Sequence, residues 1–437
     1  MRRILAMNRM KKTSPDKRVI RALVCALMFL NSAPSLADAY RDARAELIAA
    51  YETEDFPAMR AAALAALDAR PEFPGGLFNL AYAEVFNGDA EAALRSLKLL
   101  LAKKIDFGAD ELEEFQPLHE LPGWEAYVTA VAALYEPVGE ASVAFRYDTA
   151  DFIPEGIAIG PSDELYLGSI RHGDILKIGV EPQLIAAAPG GPHWSVFGMR
   201  HDGAQTLWFV SAAIDEFVGL HADDAGKTGL YAIDAQTGDF RVRARLPASG
   251  NKQVLGDLIL VDEDTIFLAD QADGIIYRYR ISNDEFSTVV ARGNFGSPQG
   301  LVLDASGEHL YVADYLGGLY RLRLATGEIE RVTPLATASD YGIDGLYRYS
   351  NRLIAIQNGI RPNRVVEFEL TADGSAVIAS RILAMNLTEF DEPNLGVVHG
   401  DEFLFIANSH WNRFERDGSL PEGLSGPVVL SIDLQAN

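Results

Sequence analysis

Six short phrases in the C-terminal two-thirds of the chain set a chemically distinct side chain beside a glycine. They are Pro154-Glu155-Gly156-Ile157, Val196-Phe197-Gly198-Met199, Leu255-Gly256-Asp257-Leu258, Pro298-Gln299-Gly300-Leu301, Ile343-Asp344-Gly345-Leu346 and Asn394-Leu395-Gly396-Val397. Glu155, Asp257, Gln299, Asp344 and Asn394 are the oxygen-bearing members. Carboxylates and amide oxygens gathered round one centre form an all-oxygen cage, and a hard cation such as Ca²⁺ takes about six to eight such ligands. A cation held there would polarise a substrate carbonyl and acidify a water. Asp344, or a neighbouring histidine, would take the proton. The plainer reading of any one of these residues is a turn cap or a part of a hydrated channel.

The cage exists only if the phrases converge, so the elements that carry them matter. Ser297 to Pro334 contains four short apolar runs separated by turn signals: Gln299 to Leu303, His309 to Ala313, Leu319 to Leu324 and Glu328 to Val332. Such a unit reads as one four-stranded antiparallel sheet. Each glycine phrase is followed by a second strand: Glu164 to Leu167, Leu207 to Val210, Thr265 to Ala269, His309 to Ala313, Arg352 to Ile356 and Glu402 to Ala407. Six repeats of this kind predict a six-bladed β-propeller, in which the first strand of every blade meets the others at a central axis. Ser142 to Tyr147 is an isolated strand ahead of the first blade. It is expected to pair beside Pro427 to Leu434 and close the ring, which removes the open sheet edges.

In that architecture the loops joining second to third strands open on the face where the first strands begin. They carry His172, Asn358, His410 and Trp411, and the loop entering blade 2 adds His193-Trp194. His172, Trp194, Asn358 and Trp411 are the expected lining of a pocket for a polar organic ligand. His193 and His410 are the candidate acid/base residues, although a loop histidine beside tryptophan also serves as a packing and hydrogen-bonding pair.

The phrases PEGIAIGPSDELYLGS, PQGLVLDASGEHLYVAD and DGLYRYSNRLIAIQNG resemble the senescence marker protein/gluconolactonase-like (regucalcin-like) family, over about residues 152–434. The resemblance implies one divalent cation at the channel mouth and hydrolysis of lactones or esters. It implies Glu155 and Asp344 as two of the ligands. The two middle ligands of that family, usually asparagines, fall on Gly256 and Gln299. Glycine brings no donor and glutamine is one carbon longer, with Asp257 the substitute within reach in sequence.

The remainder of the chain sets the context. Of 437 residues 48% are apolar and 23% charged, and the net charge is -24. That charge argues against nucleic acid and anionic membrane surfaces as partners. Residues 1–39 read as a signal peptide, with a basic start, the apolar run Ala22 to Leu30 and the cleavage motif Ala37-Asp38-Ala39. Cleavage would leave 30 Lys/Arg against 60 Asp/Glu, no membrane span and no cysteine, since Cys25 is the only one. A periplasmic or secreted protein is expected, without thiol chemistry. Residues 40–135 have helical spacing and repeat at 34 residues, Glu54-Asp55-Phe56 against Gly88-Asp89-Ala90. This resembles tetratricopeptide repeats. The domains expected are thus 40–135, a helical module able to dock a protein partner, and 142–437, the propeller.

Serine-hydrolase elbow, P-loop, zincin and dinucleotide fingerprints are all missing from the sequence. Two functions follow. The first is metal-dependent hydrolysis of a small lactone or ester at the propeller mouth, with a divalent cation, Ca²⁺ by donor chemistry. The alternative is a non-catalytic propeller that binds a ligand or protein, with the helical module as a second docking element.

Overall fold

The computed structural model describes residues 36–188, 191–415 and 418–435. Most of the expected signal segment lies outside them. Two compact units result.

The first unit is helical. It comprises α1 (Leu36–Glu52), α2 (Phe56–Ala69), α3 (Pro74–Phe86), α4 (Ala90–Ala102) and α5 (Trp124–Leu134). Asp55 and Asp89, 34 residues apart in sequence, cap α2 and α4 in the same way. Each carboxylate accepts the backbone N–H three residues on, from Ala58 at 3.0 Å and Ala92 at 2.9 Å. An Asp cap satisfies one of the donors that a helix start leaves unpaired. Ala63, Ala81, Ala83 and Ala93 are wholly buried, and small residues let helices pack closely. Phe78, Tyr82 and Phe115 fill the centre, with ring centroids 5.7 Å apart between Phe115 and each of the others. The unit also takes in Pro334–Tyr341 and Ile360–Pro362 from far along the chain. Among the described residues no helix is long and apolar enough to cross a membrane.

The second unit is a six-bladed β-propeller. Its blades are β2–β5 (Pro154–Ile159, Leu165–Ser169, Ile175–Ile178, Gln183–Ala186) and β6–β9 (Ser195–His201, Thr206–Ala212, Thr228–Asp234, Phe240–Arg245). Next come β10–β13 (Leu255–Leu260, Thr265–Asp270, Ile275–Arg280, Glu285–Val290) and β14–β17 (Pro298–Leu303, His309–Asp314, Gly318–Arg323, Glu328–Arg331). The fifth is β18–β21 (Ile343–Tyr349, Arg352–Gln357, Arg364–Leu370, Val377–Met385). The sixth joins β22–β24 (Gly396–His399, Glu402–Ile406, Val428–Asp433) to β1 (Ser142–Arg146), which pairs antiparallel with β24. The ring therefore closes with the N-terminal strand outermost in the last blade, as the sequence predicts.

Apolar faces of neighbouring blades make the core. Phe267, Ala269 and Ile276 of blade 3, for example, pack with Leu301, Leu310 and Val312 of blade 4. The recurrent glycine has a spacing reason. A Cβ at Gly300 would lie 2.6 Å from the backbone nitrogen of Leu346, and one at Gly198 2.9 Å from Cα of Asp257. Those distances are shorter than packed atoms tolerate, so first strands of adjacent blades approach this closely only where one of the two residues carries no side chain.

The same positions bend the strands. In five blades the pairing of first with second strand slips there: between Pro154 and Ile157, Val196 and Met199, Leu255 and Asp257, Pro298 and Leu301, and Ile343 and Gly345. A bulge breaks the strict alternation of side chains and re-aims one of them. Glu155, Phe197, Gln299 and Asp344 all sit in these slips.

Candidate functional site

Glu155 and Asp344 come from blades 1 and 5, 189 residues apart in sequence, yet they act on each other electrostatically. Both are buried. Glu155 is pushed well above the ordinary carboxylate range, first by burial and then by the charge of Asp344. Asp344 is pushed up to about 7, by burial and, against the opposing hydrogen bond from Asn358, by the charge of Asp257. Removing water disfavours the charged form, and a second negative charge nearby does so again.

N–H donors hold each carboxylate in place. Asn394 Nδ2 donates to Glu155 Oε2 at 2.7 Å and to the carbonyl of Pro154 at 3.1 Å. The indole N–H of Trp411 donates to the same Glu155 oxygen. Asn358 Nδ2 donates to Asp344 Oδ2 at 2.6 Å and to the carbonyl of Pro393 at 3.1 Å. The other atom of that amide, Asn358 Oδ1, is buried and accepts no hydrogen bond. Gln299 Nε2 donates to Ser297 Oγ at 3.3 Å.

Trp411 rests against Phe197 and Phe414, with ring centroids at 6.3 and 5.9 Å. The phenol of Tyr315 is buried, and burial followed by the charges of Asp344 and Glu392 raises its pKa far above the usual value. Glu392 also adds to the negative field at Glu155. Four acidic side chains thus share one region with an aromatic wall.

Asp257 belongs to this field but has its own counter-ion. The Arg200 guanidinium lies 3.1 and 3.2 Å from its two oxygens, and the backbone N–H of Leu301 donates to Oδ2 at 3.2 Å. Burial raises the Asp257 pKa, and Arg200 opposes the rise. Arg200 lies three residues past Phe197, about 10 Å along the strand.

The other expected residues have partners of their own. His193 is enclosed by Phe209, Tyr231 and Phe240 in the core of blade 2. Its Nε2 lies 2.8 Å from the carbonyl of Gly173, and burial lowers its pKa to about 4, so the ring is neutral at physiological pH. His410 lies with Nδ1 2.9 Å from Asp391 and Nε2 3.0 Å from the carbonyl of Ser425, so both ring nitrogens are occupied. His172 pairs with Asp151 at 2.8 Å. Trp194 packs with Ala188, Ala213 and Phe217 under the guanidinium of Arg245. Of the expected pocket residues, Asn358 and Trp411 join the two carboxylates. Tyr315 and Glu392 join them without having been singled out in the sequence as site residues.

A divalent cation requires several oxygen donors at one place. Among the described residues no three Asp, Glu, His or Cys side chains stand together at ligand spacing. A cation would therefore rely on two carboxylates and on amide oxygens. Two acids whose ionisation is disfavoured by burial and by neighbouring carboxylates, beside the unsatisfied Asn358 Oδ1, form an all-oxygen set short of positive charge. In that respect the residues fit.

No protein-family model matches the chain, and no curated protein matches it in sequence. Similar solved structures exist. An aldose sugar dehydrogenase from Streptomyces coelicolor, solved with PQQ bound, is 13% identical over 68% of this chain and 99% of its own, with a TM-score of 0.47. A gluconolactonase-family protein is 16% identical over 67% of this chain and 91% of its own, TM-score 0.46. The calcium-binding protein regucalcin from Agrobacterium tumefaciens is 14% identical over 67% of this chain and 95% of its own, TM-score 0.46. By its own strand order, this chain is a six-bladed β-propeller preceded by a helical segment.

Proposed function

We propose that the first-strand ends of the propeller hold a divalent cation and hydrolyse a small lactone or ester there. The observation that carries the reading is the pair Glu155 and Asp344, brought together from separate blades into a buried place where neither readily ionises alone. Structural ion pairs come with counter-charges. This pair has amide and indole N–H groups instead.

Glu155 and Asp344 would hold the ion, with amide oxygens of Asn358 and Gln299 completing the set. Asp257 is left out because Arg200 already neutralises it. A bound divalent cation supplies Lewis acidity toward a carbonyl and toward water. Asp344 accepts the proton released as water attacks the acyl carbon. It returns that proton to the alkoxide formed when the acyl C–O bond opens, so the reaction consumes water and leaves the carboxyl group as it began. Trp411 fixes Glu155 through its indole N–H, and with Phe197 it walls the carboxylates from bulk water. Charge effects strengthen where water is kept out.

The test is hydrolysis of aryl esters and five- and six-membered lactones by the purified full chain, with calcium and then with chelator. Turnover that needs the cation and disappears in Asp344→Ala supports the reading. Turnover that survives both treatments refutes it.

A further inference from the structure

Blade 3 presents Gly256 where blades 1, 4 and 5 present Glu155, Gln299 and Asp344. The space a side chain would enter there is already filled. An ideal Cβ built on Gly256 lies 2.9 Å from Cδ, 3.0 Å from Oε1 and 3.4 Å from Cγ of Gln271. The terminal amide of Gln271, from the loop between β11 and β12, stands in the first-strand position of its own blade. Gly256 does not have a positive φ, so no left-handed backbone calls for glycine there. The glycine leaves the room that the Gln271 amide occupies.

The Gln271 backbone is anchored on both sides. Its N–H donates to the carbonyl of Val254 at 3.0 Å, and its carbonyl accepts from Ser297 Oγ at 3.0 Å. Ser297 Oγ in turn accepts from Gln299 Nε2 at 3.3 Å. One hydroxyl thus ties the loop carrying the blade 3 amide to the first-strand amide of blade 4.

We propose that Gln271 is a cation ligand of this site, its Oε1 supplying the oxygen that Gly256 cannot. The idea rests on the cation-binding reading above. The ligand class is a hard divalent cation, and the chemistry is that of a neutral carbonyl oxygen, which adds coordination without adding charge to an already acidic site. A glutamine reaching in from the neighbouring loop spans the distance that a shorter side chain on the strand itself would cover.

Calcium chloride titrated calorimetrically into the full chain separates the possibilities. Gln271→Ala is expected to weaken binding by about tenfold or more, and Gln271→Glu, of the same length with an anionic oxygen, to tighten it. The double variant Gly256→Asn, Gln271→Ala restores part of the loss by delivering an amide from the strand. Thermal melting without calcium confirms that each variant folds. Calcium affinity unchanged in Gln271→Ala overturns the assignment, and so does a loss there with no tightening in Gln271→Glu, which marks a packing role. If the unaltered chain takes up no calcium, the cation reading itself fails and this assignment with it.

Discussion

Burial governs how Asp344 behaves. With its pKa raised to about 7, the carboxylate costs the folded protein nothing below about pH 4, where folded and unfolded chains both carry the proton. The cost grows as pH rises from there to about 7, and is complete above it. In cation-free protein Asp344→Asn should therefore raise Tm at pH 8 by roughly 3 °C or more, with no effect at pH 4. Thermal melts of both proteins at the two pH values measure this. Calcium must displace the proton, so affinity at pH 6 should be about tenfold or more below that at pH 8, a shift that calorimetry reads directly. The carboxylates were legible in the sequence because they recur beside a glycine. Their holders were not: Trp411 reaches Glu155 from 256 residues away, across the closing point of the ring, and no local spacing encodes that. His193 looked accessible beside Trp194. Only its packing against β7–β9 shows that Phe209, Tyr231 and Phe240 surround it.

At the scale of elements, the first strands do two jobs at one position: the glycine permits close approach and the bulge turns the preceding side chain. Gly300→Ala should destabilise the propeller by about 1–3 kcal/mol, because the new Cβ must displace the backbone at Leu346. Urea unfolding checks the size, with the midpoint moving and the slope unchanged. The glycines were visible as a repeat, but the bulges were not, since they arise from pairing with the second strand. Strand positions were legible because turn signals separate runs of alternating or buried apolar residues. Second strands also end in a polar residue with a structural task, which the sequence does not distinguish from a site residue. Asp270 Oδ1 accepts the N–H of Val254 at 3.0 Å, and Asp314 Oδ1 that of Ser297 at 2.8 Å.

At the scale of the molecule, β1 closes the ring by pairing with β24 in the sixth blade. Ser142 and Ser431 face each other in that closing pair. Expected signal cleavage would leave no native thiol, so Ser142→Cys with Ser431→Cys should form a single disulfide. It should stabilise the oxidised protein by about 2–4 kcal/mol over its reduced form, seen as a rise in Tm that reductant reverses. The ring was legible because six sheets repeat and a stray strand precedes them. The helical unit was legible as helices, but its inclusion of Pro334–Tyr341 and Ile360–Pro362 was not, because those segments carry no helical signal. The central question is whether Glu155 and Asp344 share an ion. Calcium calorimetry at pH 8 on the full chain, beside Glu155→Gln and Asp344→Asn, answers this most directly. One bound ion per chain, lost in both variants, is the predicted result. Absence of binding, or binding that either variant leaves intact, contradicts it.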